Sequence, residues 1–233
     1  MRLMIGQLLA IVAKDLLIEW RTRDLLATMG VMGLASIVIF NFAVDFGRMP
    51  FTELGAPVLW LAFVFTGMTG LSRSFALERE NRCLEGILLS PVDRSVLYLG
   101  KLTVNVLVLL VLEAFLLGLA LLFLNQGSGA VHLSTGRWLA LAAVMAINTL
   151  GFAAVGTLFA LMAQRTRRGD FLLPMLQAIM TLPILIAAVV ATQRVLHVEV
   201  PLADVAELVK LSAVFDVVVV AVALVVFEYV VED

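Results

Sequence analysis

Residues 96–124 read VLYLGKLTVNVLVLLVLEAFLLGLALLFL, and only Lys101 and Glu113 in this stretch carry a charge. About 20 apolar residues suffice to cross a bilayer as an α-helix, so this longer stretch is interpreted as a transmembrane helix that tilts or projects. The whole chain shares this character: 62% of its 233 residues are hydrophobic, 15% are charged and the mean hydropathy is +1.08. Soluble domains have roughly 45–50% apolar and about 25% charged residues. The chain is therefore predicted to be an all-α polytopic membrane protein.

Five further stretches have comparable length and apolarity, which predicts about six transmembrane helices in one domain over residues 1–233. In the fifth stretch, Pro174 and Pro183 remove backbone donors and favour a kink or a break. The predicted spans are residues 25–44, 56–72, 96–124, 138–163, 171–193 and 209–230.

The orientation follows from lysine and arginine, which are enriched in cytoplasmic loops. Of the 16 basic residues, 12 fall on one predicted side of the membrane, so both termini are expected in the cytoplasm. These residues are Arg2, Lys14, Arg21, Arg23, Arg73, Arg79, Arg82, Arg94, Lys101, Arg165, Arg167 and Arg168.

Residues 1–23 carry too many charges to span a membrane. Leu9 and Leu16 fall near one face of a helix, and Lys14 and Arg21 share another. This pattern predicts a helix lying in the cytoplasmic interface, and the alternative is a helix packed on other protein. On the outer side, residues 194–208 are predicted to form a loop with a short amphipathic helix.

The largest predicted cytoplasmic loop, residues 73–101, combines a charged segment with a short apolar one. Glu78 and Arg82 are spaced i,i+4, which stabilises a short helix, and Pro91 disfavours helix at the residue before it. The run 87–89 is apolar but too short to span the membrane. A helix with an apolar ridge and a charged rim is suited to dock into a partner's groove. The alternative is an amphipathic connector lying on the membrane, and the pattern alone leaves both open.

The order of residues in this loop resembles the coupling loop of ABC-2-type exporter permeases. In that family the loop sits in a cleft of the ATPase subunit and transmits its closure to the membrane helices. The resemblance implies a type V exporter-like permease fold. Cys83 departs from the pattern, because many members have glycine there, and the shape of the loop stays open. The similarity in sequence extends to Leu99-Gly100-Lys101. The ATPase-coupling residues it implies are Glu78, Glu80, Arg82, Leu84, Glu85, Gly86, Leu88, Leu89, Pro91 and Arg94.

Over nearly its whole length the chain also resembles the haem exporter protein B (CcmB) family, the permease of the cytochrome c maturation system. The similar segments are Lys14-Asp15-Leu16 with Glu19-Trp20-Arg21, residues 55–60 (GAPVLW), the coupling loop, and residues 168–174 (RGDFLLP). The resemblance implies a separate ATPase subunit (CcmA), a second permease copy, the membrane proteins CcmC and CcmD, and the haem chaperone CcmE. Haem is a possible substrate, and ATP is expected to act through the partner subunit.

The chain lacks the G-x-x-x-x-G-K-[ST] motif that cradles ATP phosphates, so hydrolysis is expected in another subunit and not in this chain. Its two histidines, His132 and His197, fall in predicted outer loops, where a lone imidazole is usually a surface residue. We therefore expect no directly bound cofactor or metal and no catalytic residue.

Four polar residues lie inside predicted spans. They are Glu113, Asn105, Asn148 and Asp216. A charge in lipid is costly, so Glu113 should face protein or water or be protonated, and Asn148 is its predicted cross-helix partner. Lys210 lies too far along the helix to pair naturally with Asp216. Whether the two acids fix helix packing or serve function stays open.

The favoured hypothesis is a permease subunit of an ABC transporter for cytochrome c maturation. It would link ATP hydrolysis to haem export or to release of the haem-loaded chaperone. Two alternatives remain. One is an ABC-2 permease for another amphiphile, a lipid or a glycan; the other is a non-transporting membrane scaffold that transmits force.

Overall fold

The computed structural model describes residues 2–43, 51–80, 94–124, 133–165 and 169–232. Within these ranges the chain is helical apart from short turns, as the composition predicts. The helices are α1 (Arg2–Thr22), α2 (Asp24–Ala43), α3 (Phe51–Glu80), α4 (Arg94–Phe123), α5 (Thr135–Arg165), α6 (Gly169–Leu196) and α7 (Leu202–Glu232).

Six of the described helices, α2 to α7, are long and apolar enough to cross a membrane. This confirms the predicted all-α polytopic fold and its six spans. The helices run alternately between two ends of the bundle. We call the end where α3 stops and α4 starts, next to residues 81–93, the loop end, and the opposite end the far end.

Two segments differ from the sequence prediction. Residues 194–208 do not form a loop with a separate helix: α6 continues to Leu196, and a turn at 197–201 leads directly into α7. No glycine or proline occurs between residues 202 and 232, so the amphipathic start continues into the apolar span as one helix. Of the kink or break predicted at Pro174 and Pro183, the break does not occur, because α6 runs through both prolines.

The bundle is organised around α5, which packs against α3, α4, α6 and α7. Aromatic rings fill the space between α3 and α5: the ring of Phe63 lies 5.1 Å from that of Phe152 and 5.4 Å from that of Trp60. Gly67 lets the helices approach here, because a Cβ at that position would lie 2.8 Å from the Phe152 ring. Between helices in lipid, close packing of this kind replaces the hydrophobic effect as the source of stability.

The N-terminal helix α1 is separate from the first span. Arg23 joins α1 to α2 with a φ of 54°, a left-handed conformation that ends a helix sharply. The carboxylate of Glu19 accepts a 2.9 Å hydrogen bond from the backbone N–H of Leu26, which satisfies one free donor at the start of α2. Helix α1 then packs against the first turns of α4 at the loop end. Its opposite face exposes apolar side chains, among them Leu9 and Trp20.

Candidate functional site

The described part of the predicted coupling loop consists of its two stems. Residues 81–93, and with them Arg82, Leu84, Glu85, Gly86, Leu88, Leu89 and Pro91, lie outside the described residues. Glu80 is the last residue of α3, and Glu78 lies two residues before it. Arg94 is the first residue of α4. The described part of the site extends from Arg73 and Lys101, on the two stems, into the bundle.

The α3 stem is joined to the start of α2 by an ion pair. One guanidinium nitrogen of Arg73, Nη2, contacts both carboxylate oxygens of Asp24, at 3.1 and 2.9 Å. The two side chains are 45% and 46% exposed. Asp24 is also the first residue of α2, where a carboxylate interacts favourably with the helix dipole.

The α4 stem is joined to α1 by a buried ion pair. Lys101 Nζ lies 2.7 Å from Oδ2 of Asp15, and the side chains are only 4% and 11% exposed. Lys14, which is 44% exposed, contacts the other oxygen of Asp15 at 3.1 Å. One residue before Lys101, Gly100 lies against Ile11, and a Cβ at Gly100 would be 2.9 Å from Cγ2 of Ile11.

Deeper in the bundle, Glu113 of α4 is almost completely buried and faces α5. Its Oε2 accepts a 2.6 Å hydrogen bond from Oγ1 of Thr149. The sequence predicted Asn148 as the partner, and this was wrong by one position. The Asn148 amide instead donates to the carbonyl of Val144 in its own helix, at 2.8 Å. Successive side chains point about 100° apart around a helix. The register between α4 and α5 therefore decides whether Asn148 or Thr149 meets Glu113.

Asn105, two turns from Glu113 towards the loop end, makes a second cross-helix hydrogen bond. Its Nδ2 donates to Oγ1 of Thr157 at 2.8 Å, and both side chains are buried. Asn105 and Glu113 are eight residues apart on α4, and their partners Thr157 and Thr149 are eight residues apart on the antiparallel α5. Matching spacing on two adjacent predicted spans is the sequence signal that would have identified both threonines.

Asp216 of α7 lies directly against Gly151 of α5 and is 2% exposed. Neither of its carboxylate oxygens has a hydrogen-bond partner among the described residues, and the same holds for the hydroxyl of Ser212 one turn earlier. A buried carboxyl group without a donor is energetically costly. Asp216 therefore differs from Asn105, which is paired across helices, and from Glu113, of whose two oxygens only Oε1 lacks a partner among the described residues.

At the far end, the guanidinium of Arg137 holds the end of α6 and the turn that follows. It donates to backbone carbonyls at distances from 2.6 to 3.4 Å, and the side chain is 7% exposed. The sequence assigned Arg137 only to the minority of basic residues on the outer side. This capping by Arg137 was missed, because the contacts join residues 57 to 63 positions apart along the chain. The accepting residues are Arg194, Val195, His197, Val198 and Val200.

Among families of known proteins, the family described as CcmB protein matches residues 6–231, which is nearly the whole chain. No curated protein matches the chain by sequence comparison. The family match covers both loop stems, the cross-helix hydrogen bonds of α4 and α5, and all six helices that can span a membrane. The chain therefore belongs to the CcmB family and is a multi-pass membrane protein with a CcmB-type permease role.

Proposed function

We propose that this chain is the permease subunit of an ABC transporter complex for cytochrome c maturation in the bacterial inner membrane, with both termini in the cytoplasm. The observation that carries the proposal is the CcmB family match over residues 6–231. The positive-inside distribution of lysine and arginine supports the orientation.

In this proposal, a separate CcmA-like ATPase subunit binds the loop between α3 and α4. The coupling residues are those that resemble the ABC-2 pattern, from Glu78 to Arg94. Helices α3 and α4 have 30 residues each, and both reach from the loop end to the far end of the bundle. A movement imposed on the loop would therefore act on helices that cross the whole membrane domain.

The complex would contain a second copy of the permease, CcmC- and CcmD-like membrane proteins and a CcmE-like haem chaperone. ATP hydrolysis would drive haem export or the release of the loaded chaperone. The buried side chains of Glu113 and Asn105 bond to threonines on the neighbouring helix α5. Because these polar groups join two helices, they favour force transmission between helices as the function. That observation also supports the second candidate, a scaffold that moves its partners without carrying a substrate itself.

The test is co-expression of the chain with its ATPase subunit, using affinity capture and cytochrome c assembly as readouts. In one variant Leu88→Glu and Leu89→Glu place charge on the apolar ridge. The matched control, Leu88→Met with Leu89→Met, keeps both positions apolar. We expect the glutamate variant to lose ATPase capture and cytochrome c assembly at least tenfold and the methionine variant to keep both. Normal capture and assembly with the glutamate variant would refute the proposal.

A further inference from the structure

Both stems of the coupling loop are ion-paired to the N-terminal helices. Arg73 on the α3 side contacts Asp24 at the start of α2, and Lys101 on the α4 side contacts Asp15 of α1. These contacts join residues 49 and 86 positions apart along the chain. The loop is thus attached on both sides to the unit formed by α1, the Arg23 turn and the start of α2, which we call the N-terminal clamp (residues 2–24).

The two ion pairs differ in environment. Asp24 and Arg73 are almost half exposed, where solvent and salt screen an ion pair and leave it weak. Lys101 and Asp15 are withdrawn from solvent, so removing one partner of this pair costs more than removing one partner of an exposed pair. The contact between α4 and α1 is therefore the stronger of the two, and the contact between α3 and α2 is the weaker.

Packing reinforces the contact between α4 and α1. Because Gly100 has no side chain, Ile11 of α1 lies directly on the α4 backbone one residue before Lys101. Where the clamp continues into α2, the hydrogen bond from the backbone N–H of Leu26 to the Glu19 carboxylate fixes the angle between α1 and α2. The Arg23 guanidinium also lies over the Trp20 ring, 5.7 Å from its centre. A displacement of the first turns of α4 would consequently move α1 with it.

We propose that α1 and the first turns of α4 move as one body during the ATPase cycle, with Lys101 and Asp15 as the positioning residues that transfer the movement of the coupling loop to the N-terminal clamp. The inference rests on the proposed function, since it needs an ATPase that moves the loop. It assigns α1 a function beyond lying in the interface, because α1 would transfer the movement of the coupling loop to α2.

The first experiment compares Lys101→Met and Asp15→Asn with the wild-type chain, each in complex with the ATPase subunit. We expect both variants to capture the ATPase and hydrolyse ATP within about twofold of wild type, whereas cytochrome c assembly falls at least tenfold. Exchanging the charges in the double variant K101D/D15K should restore at least half of the assembly. A residue needed only for folding would lower capture and hydrolysis together with assembly.

Lys14→Met is the matched control, because Lys14 contacts the same carboxylate from an exposed position. It should change assembly by less than twofold. If Lys101→Met assembles cytochrome c normally while capturing the ATPase, the inference is wrong and the proposed function stands. If the wild-type chain captures no ATPase, the proposed function itself fails.

A second experiment does not depend on the stability of Lys101 variants. A Cβ at position 100 would lie 3.3 Å from Cβ of Ile11, close to the separation of about 3.5–4.5 Å in disulfides. In a Cys83→Ser background, I11C/G100C should form a cross-link that leaves cytochrome c assembly within twofold of the reduced protein. A cross-linked protein that is inactive, but recovers on reduction, would show that α1 and α4 must separate, and would overturn the inference.

Discussion

Glu113 is the residue for which a structural and a functional explanation can be separated most directly. Its carboxylate accepts a hydrogen bond from the Thr149 hydroxyl in a buried contact between α4 and α5. The amide oxygen of glutamine can accept the same bond, so Glu113→Gln should change the free energy of unfolding by less than about 1 kcal/mol. Glu113→Ala leaves the hydroxyl unpaired and should cost about 1–3 kcal/mol. Thermal unfolding in detergent measures both.

We expect Glu113→Gln also to keep at least half of the cytochrome c assembly activity. Thr149→Val is the companion variant, because it removes the donor while keeping the volume of the side chain. If Glu113→Gln unfolds like the wild-type chain but assembles no cytochrome c, the ionisable group itself is required, and the packing explanation is refuted.

Gly151 provides a test of the contact between α5 and α7. A Cβ at this position would collide with the Asp216 carboxylate, so Gly151→Ala should destabilise the protein by about 1–3 kcal/mol through overpacking. The double variant G151A/D216A removes the obstacle and should recover at least about 1 kcal/mol of that loss. Gly118→Ala is the control, since a Cβ there has no atom within 4 Å. Additive effects of the two substitutions would contradict the contact.

At the scale of the element, Arg137 determines how α6 ends. Replacing it with methionine removes the side-chain donor to the carbonyls of the turn at 197–201. The free energy of local opening should fall by about 3 kcal/mol as a result. That corresponds to roughly a hundredfold faster amide exchange in the segment 194–204. Hydrogen–deuterium exchange with mass spectrometry measures it. Arg194→Met is the matched control, because Arg194 donates a single long bond of 3.4 Å to the carbonyl of Asp204.

We expect the Arg194 variant to exchange within threefold of wild type. Acceleration that spreads evenly over α5, α6 and α7 in the Arg137 variant would mean that this residue stabilises the whole bundle rather than one turn. Equal exchange in wild type and the Arg137 variant would show that the carbonyls find other donors.

The elements could be predicted from the sequence because apolar length is a local property. The six spans follow from hydropathy, and the separate α1 follows from Lys14 and Asp15 interrupting an apolar run. Pairing between elements could not be read in the same way. Whether Asn148 or Thr149 meets Glu113 depends on helix register, and the partner of Lys101 lies 86 residues away. Both outcomes depend on tertiary packing, to which hydropathy and spacing within one helix are insensitive.

At the scale of the whole molecule, the kind of polar contact changes from the loop end of the bundle to the far end. At the loop end, ion pairs connect the stems to the N-terminal clamp. In the middle, neutral donors link α4 to α5. At the far end, Arg137 joins α5 to the turn between α6 and α7. Bonded contacts of the described residues therefore extend from the loop end along α4 to α5 and on to the far end.

The orientation of the molecule can be tested with its own cysteine, because Cys83 is the only one in the sequence and falls in the predicted coupling loop. If the loop is cytoplasmic, a membrane-impermeant maleimide should label Cys83 in inside-out vesicles and leave it unlabelled in intact spheroplasts. The control is C83S/S134C, which moves the single thiol to the exposed Ser134 at the far end and should reverse the pattern. A bound ATPase subunit would cover the loop, so its co-expression should slow the labelling of Cys83 at least fivefold while the thiol at position 134 reacts as before. Labelling of Cys83 from outside would invert the proposed topology and place the loop beyond the reach of any cytoplasmic ATPase. Unchanged labelling with the ATPase bound would mean that the subunit docks elsewhere, and that force enters the bundle by another route.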